Sequence, residues 1–116
     1  MSTVTIWHNP KCSKSRQTLE LLQSKGIEPV IFEYLKEPIT PEILKEVWGL
    51  LGKDYRAVMR TKEEAYKELN LGDPSKSDAD LIQAAIQNPK IIERPVVICG
   101  KKAAIGRPPE AVLEIL

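Results

Sequence analysis

The stretch TVTIWHNPKCSKSRQTLELLQSKGIEPVIFEY, residues 3–34, decides how this chain is read. Thr3 to His8 alternates β-branched and apolar residues and predicts a strand. Ser13 to Lys25 predicts a helix, with Leu19, Leu22 and the stem of Gln23 or Lys25 on its apolar side and Gly26 as its stop. Pro29 to Tyr34 predicts a second strand, with Val30-Ile31-Phe32 as a short buried run. Strand, helix, strand in this order implies parallel strands joined by a right-handed crossover. Cys12 falls where the first strand gives way to the helix.

That position carries chemistry. Lys11, Lys14 and Arg16 flank Cys12, and no acid occurs before Glu20. A free thiol has a pKa of about 8.5, and a helix N-terminus with nearby cations favours its anion. The same arrangement suits a nucleophilic thiolate and an anion site. Cys12-Ser13-Lys14-Ser15 is a C-x-x-C redox pattern with a hydroxyl in place of the second sulfur. It can form an adduct or mixed disulfide but cannot close its own ring, so redox turnover would draw on an external thiol. Cys99 lies in an apolar run and reads as an inert small hydrophobe. Two cysteines without a histidine cluster make neither a disulfide framework nor a zinc site, and no metal is expected.

Beyond residue 34, Thr40-Pro41-Glu42 opens a helix carrying Ile43, Leu44, Val47, Trp48 and Leu51 and ending at Gly52. Shorter helical pieces follow at Tyr55–Met59 and Lys62–Leu69, and Ser77-Asp78-Ala79-Asp80 opens a further helix reaching Asn88. Pro95 to Cys99 predicts a strand, Gly100-Lys101-Lys102 a hairpin turn, and Ala103 to Gly106 the returning strand. Pro108-Pro109-Glu110 starts a terminal helix. The order β-α-β, helical block, β-β-α predicts an α/β protein: a thioredoxin-like mixed sheet with an inserted helical subdomain at about residues 40–88, within a single domain of 116 residues.

Composition narrows the function. A net charge of +1 argues against a nucleic-acid binder, and no apolar run nears the roughly 20 residues of a membrane span. The first residues lack a signal-peptide layout, which favours the cytoplasm. Between Glu93 and Glu110 every charge is positive: Arg94, Lys101, Lys102 and Arg107. If the chain ends meet in space, these residues and the Cys12 segment form one cationic patch.

Three motifs, His8-Asn9-Pro10-Lys11-Cys12-Ser13-Lys14-Ser15-Arg16, Glu93-Arg94-Pro95-Val96-Val97 and Gly106-Arg107-Pro108-Pro109-Glu110, resemble those of the glutaredoxin-dependent arsenate reductases, the ArsC family. The resemblance covers nearly the whole chain. It implies that Cys12 is the nucleophile, that Arg60, Arg94 and Arg107 bind the oxyanion, and that arsenate is reduced to arsenite with glutathione as co-substrate and glutaredoxin as partner. Arsenate is a tetrahedral anion without apolar surface, and guanidinium groups fit its oxygens bidentately. The thioredoxin-like resemblance also implies a cis Arg94–Pro95 bond. His8 either helps lower the Cys12 pKa or simply ends a strand, and Ser15 either hydrogen-bonds the thiolate or caps the helix. Lys11 and Lys14 either bind anionic glutathione or do nothing specific. Lys14 departs from the small residues common at that place in the family. Two rivals share the fold: a glutathione-linked thiol oxidoreductase acting on another substrate, and an Spx-like regulator that binds RNA polymerase. Ser15 counts against the regulator, which carries a second cysteine there.

Overall fold

A computed structural model describes residues 3–116. The fold is thioredoxin-like, and the chain divides into two compact units. One is built from both ends of the chain, up to Glu37 and from Arg94 onward; the other is Pro38–Glu93.

The first unit holds strands β1 (Val4–Trp7), β2 (Val30–Phe32), β3 (Val96–Cys99) and β4 (Lys102–Ile105), with helix α1 (Ser13–Ser24) and a closing 3-10 segment (Pro109–Ile115). The sheet order is β2-β1-β3-β4. β1 runs parallel to β2 and antiparallel to β3, so Trp7 lies between Phe32 and Val96. β3 and β4 form a hairpin in which Cys99 pairs with Lys102 across a two-residue loop. Gly100 opens that loop at φ +60°, a conformation open to glycine at little cost.

Val4, Ile6, Leu22, Val97 and Val112 make the core of this unit, with Leu19, Ile27, Ala104 and Ile115 packed around them. Cys99 is half-buried against the same cluster.

Three expectations change here. Val30 and Ile31 are 53% and 48% exposed rather than a buried run. β2 is a three-residue edge strand, so hydrophobicity alone does not bring it under cover. The buried face of α1 is Ser15, Thr18 and Leu22, while Gln23 and Lys25 face solvent. Thr18 meets its need for a partner by donating to the Lys14 carbonyl at 2.8 Å, which lets a polar residue take an interior position. The terminal helix is 3-10 rather than α.

The second unit contains α2 (Pro41–Leu51), a 3-10 turn (Tyr55–Val58), α3 (Glu64–Glu68), α4 (Asp78–Gln87) and a 3-10 turn (Pro89–Ile91). Both long helices start as their sequences dictate. The Thr40 hydroxyl accepts from the Ile43 N–H at 3.2 Å ahead of Pro41, and α2 stops at Gly52, φ +66°. Ser77 and Asp80 exchange hydrogen bonds in a full capping box. On α2, Leu44, Val47 and Trp48 are buried, but Ile43 is 46% exposed. Trp48 packs on Tyr55 with ring centres 4.9 Å apart. Arg56 donates to the carbonyls of Leu71, at 2.9 Å, and Asp73, at 2.8 Å, and so closes the loop between α3 and α4. No helix of the described residues is long and apolar enough to cross a membrane.

Candidate active site

The first unit brings Cys12, His8, Ser15, Arg94 and Arg107 together. β1 ends at Trp7 and a tight loop follows, closed by the Cys12 N–H donating to the Asn9 carbonyl at 3.0 Å. Cys12 then takes extended backbone angles as the N-cap of α1. A cap residue lies beside the free N–H groups of the first helical turn. Only 8% of Cys12 is exposed, so the residue is almost wholly enclosed.

Opposing influences act on its thiol. Burial, the largest, pushes the pKa up. The Ser15 N–H, the Arg94 guanidinium, the Lys14 N–H and the Arg107 guanidinium together outweigh it, and the thiol lies below its ordinary value. The stabilising charges are thus not those beside Cys12 in sequence. They come from Arg94 and Arg107, and the local help comes from the backbone. Arg16 is occupied elsewhere, donating to the Pro10 carbonyl at 2.8 Å.

The Arg107 Nη2 sits 3.7 Å from the Cys12 Sγ, and its Nε donates to the Arg94 carbonyl at 2.7 Å. Both arginines precede a proline through a cis bond, Arg94–Pro95 and Arg107–Pro108; the second was not anticipated. The Gly106 N–H donates to the Pro95 carbonyl at 2.9 Å, which ties the two arginine segments together. Gly106 is also where this assembly meets α1. A Cβ there would lie 2.5 Å from the Thr18 Oγ1 and 2.8 Å from the Pro95 Cγ. Gly106→Ala is therefore expected to overpack this junction at a cost of about 1–3 kcal/mol. A urea titration checks the stability. The same variant should raise the pH at which Cys12 alkylates, because Arg107 is displaced with it.

His8 and Ser15 form a buried pair behind the nucleophile. Their Nδ1 and Oγ are 2.6 Å apart, and the Ser15 hydroxyl also accepts from the Asn9 N–H at 3.0 Å. The Ser15 side chain is thus engaged with His8 and the loop, and the residue acts on Cys12 through its N–H.

Burial lowers the His8 pKa most; Arg16 adds to this and Glu33 opposes it. Folded His8 therefore stays neutral at pH values where an unfolded histidine, near 6.5, already binds a proton. Stability should fall as pH drops below about 6.5 and level off once folded His8 protonates, with a slope of at most about 1.4 kcal/mol per pH unit. His8→Gln should flatten that slope in denaturant titrations between pH 7.5 and 5; an unchanged slope would place its origin elsewhere.

Arg60 belongs to the second unit. Its N–H donates to the Ile91 carbonyl at 2.7 Å, and its guanidinium is ion-paired with Glu63. Among the described residues, no cluster of three or more His, Cys, Asp or Glu side chains is set to hold a metal ion.

Fold and site together define a thioredoxin-like protein with a lowered-pKa cysteine capping its first helix beside two arginines. The chain belongs to the ArsC family, whose model matches residues 7–115. A Haemophilus influenzae protein named arsenate reductase is 52% identical, over 98% of this chain and 99% of its own. An Escherichia coli K12 protein of the same name is 41% identical, over 100% of this chain and 82% of its own. The solved structure of an arsenate reductase from Vibrio cholerae superposes with a TM-score of 0.96 at 54% identity, covering 99% of this chain and 98% of that one.

Proposed function

We propose that this protein is an arsenate reductase that uses the Cys12 thiolate as nucleophile, glutathione as co-substrate and a glutaredoxin as partner. The observation that carries this reading is the Arg107 guanidinium 3.7 Å from a thiol that is itself lowered below its ordinary value. An anion has to be attacked by an anion here. Cations at the sulfur offset that repulsion and stabilise the charge that builds up in the transition state.

In the proposed sequence, the sulfur of Cys12 bonds to arsenic and a protonated oxygen leaves as water. Glutathione then bonds to the same arsenic through its own sulfur, and a second arsenic-bound oxygen leaves as water. The glutaredoxin thiolate then attacks the glutathione sulfur, forming a mixed disulfide. The two electrons of that sulfur–arsenic bond stay on arsenic, which passes from As(V) to As(III). Water releases arsenite and returns Cys12. Ser15, standing where a second cysteine would, leaves the reducing equivalents to these outside thiols. Arg94 and Arg107 bind and neutralise the oxyanion. A part for Arg60 in that binding rests on the family motif, and Arg60→Ala tests it through the KM for arsenate. A cytoplasmic setting, where thiols stay reduced, suits this chemistry.

The test is NADPH oxidation coupled through glutathione reductase, with arsenate, glutathione and glutaredoxin omitted in turn. A rate that requires all three is expected. A rate that persists on a glutathionylated substrate but not on arsenate would instead favour the thiol oxidoreductase.

A further inference from the structure

Thr18 is wholly buried on α1, and its hydroxyl donates to the Lys14 carbonyl at 2.8 Å. In an α-helix that carbonyl already accepts the N–H of the residue four further on, so the hydroxyl adds a second bond to the same oxygen. A threonine bonded back in this way slightly destabilises a helix, and threonine is a mediocre helix former. The hydroxyl is therefore not there for the helix. What matters is the peptide unit it touches. The Lys14 carbonyl and the Ser15 N–H are the two ends of one conjugated amide, and a donor at the oxygen makes the N–H at the other end a stronger donor. Ser15 is the third residue of α1, and Cys12 is its N-cap. The N–H at that third position is one that an N-cap side chain receives. Burial acts on the Cys12 thiol most, pushing its pKa up, and the Ser15 N–H leads the influences that bring it down, ahead of either arginine. The Ser15 hydroxyl is held separately by His8 and the Asn9 N–H, which fixes the residue without using that N–H.

We propose that Thr18 is a positioning residue for the nucleophile: its hydroxyl polarises the Lys14–Ser15 peptide and so strengthens the N–H that Ser15 presents to the Cys12 sulfur. The proposal rests on Cys12 acting as a thiolate, and extends the machinery that stabilises it by one residue behind the helix N-terminus. Thr18 also stands at the close approach of α1 to Gly106, where a Cβ would lie 2.5 Å from its Oγ1 and 3.1 Å from its Cγ2. Packing there sets the size of the side chain, and the test has to separate that from the hydroxyl.

The experiment measures the pH dependence of Cys12 alkylation by iodoacetamide in the native protein, Thr18→Ser and Thr18→Ala, read by peptide mass so that Cys99 does not contribute. Both variants lack the methyl and neither crowds Gly106, so the difference between them reads the hydroxyl. Alanine is the best helix former, and Thr18→Ala is expected to stay folded, which urea titration checks. A donor at the carbonyl strengthens the next bond in the chain by some 10–30%. The inflection should therefore lie about 0.3 pH unit higher in Thr18→Ala than in Thr18→Ser, roughly a twofold smaller thiolate fraction below the inflection. Thr18→Ser should keep the native inflection. Equal inflections in the two variants would overturn the proposal: at the native value they would leave the hydroxyl without effect, and at a shared higher value they would assign the effect to packing against Gly106. A native inflection at the free-thiol value would instead remove the thiolate on which the proposal rests. The reaction needs neither arsenate nor glutathione, so these outcomes are read apart from arsenate reduction.

Discussion

Cys12→Ser should abolish arsenate-dependent turnover, by on the order of 10⁴-fold or more, while leaving the fold intact. The two halves of this expectation have separate causes. A serine hydroxyl does not ionise in the range where this thiol does, so neither the helix N–H groups nor the arginines supply a usable nucleophile. Stability runs the other way. Cys12 is the N-cap of α1 and makes no side-chain cap bond. Serine is among the preferred N-cap residues, so the variant should unfold at the same urea concentration as the native protein or a higher one. Activity surviving in Cys12→Ser would remove the thiolate from the mechanism. Activity lost together with the fold would point to a structural role.

Arg107→Ala should lower kcat/KM for arsenate by on the order of 10²–10³-fold, the usual effect of deleting one preorganised donor at a developing charge. It removes both the Nη2 that faces the sulfur and the Nε that holds the Arg94 carbonyl. Arg94→Ala should act in the same direction, because the Arg94 charge weighs more on the thiol than that of Arg107. Each variant should also shift Cys12 alkylation to higher pH, since the folded thiol loses a cation that favours its anion. Arg107→Lys separates charge from geometry. A lysine retains the positive charge but not the planar fork, so it should restore much of the thiol's acidity and little of the arsenate rate. Full recovery of both would mean that charge alone matters at that position.

Much of this was legible in the sequence, for reasons that lie in local physical chemistry. The caps of α2 and α4 were readable because Thr40-Pro41-Glu42 and Ser77-Asp78-Ala79-Asp80 each satisfy their own helix ends, and these contacts do form. The strand–helix junction at Cys12 and the β3–β4 hairpin were readable from pattern and turn chemistry. What escaped reading was nonlocal. The run Val30-Ile31-Phe32 looks buried, but burial depends on what lies beyond the strand, and β2 is an edge. Thr18, a polar residue of α1, is buried where Gly106 leaves room for its side chain. The cations beside Cys12 in sequence looked like the source of its acidity. Arg94 and Arg107 supply the charge instead, 82 and 95 residues further on. Arg56 escaped as well, since its partners are carbonyls 15 and 17 residues away.

The most direct test of the account is the pH dependence of Cys12 alkylation by iodoacetamide in the native protein. A rate that rises with an inflection clearly below the free-thiol value of about 8.5, moving upward in Arg94→Ala and Arg107→Ala, is the predicted result. An inflection at or above that value, unmoved by either substitution, would show that the fold does not prepare a thiolate at Cys12 and would contradict the account.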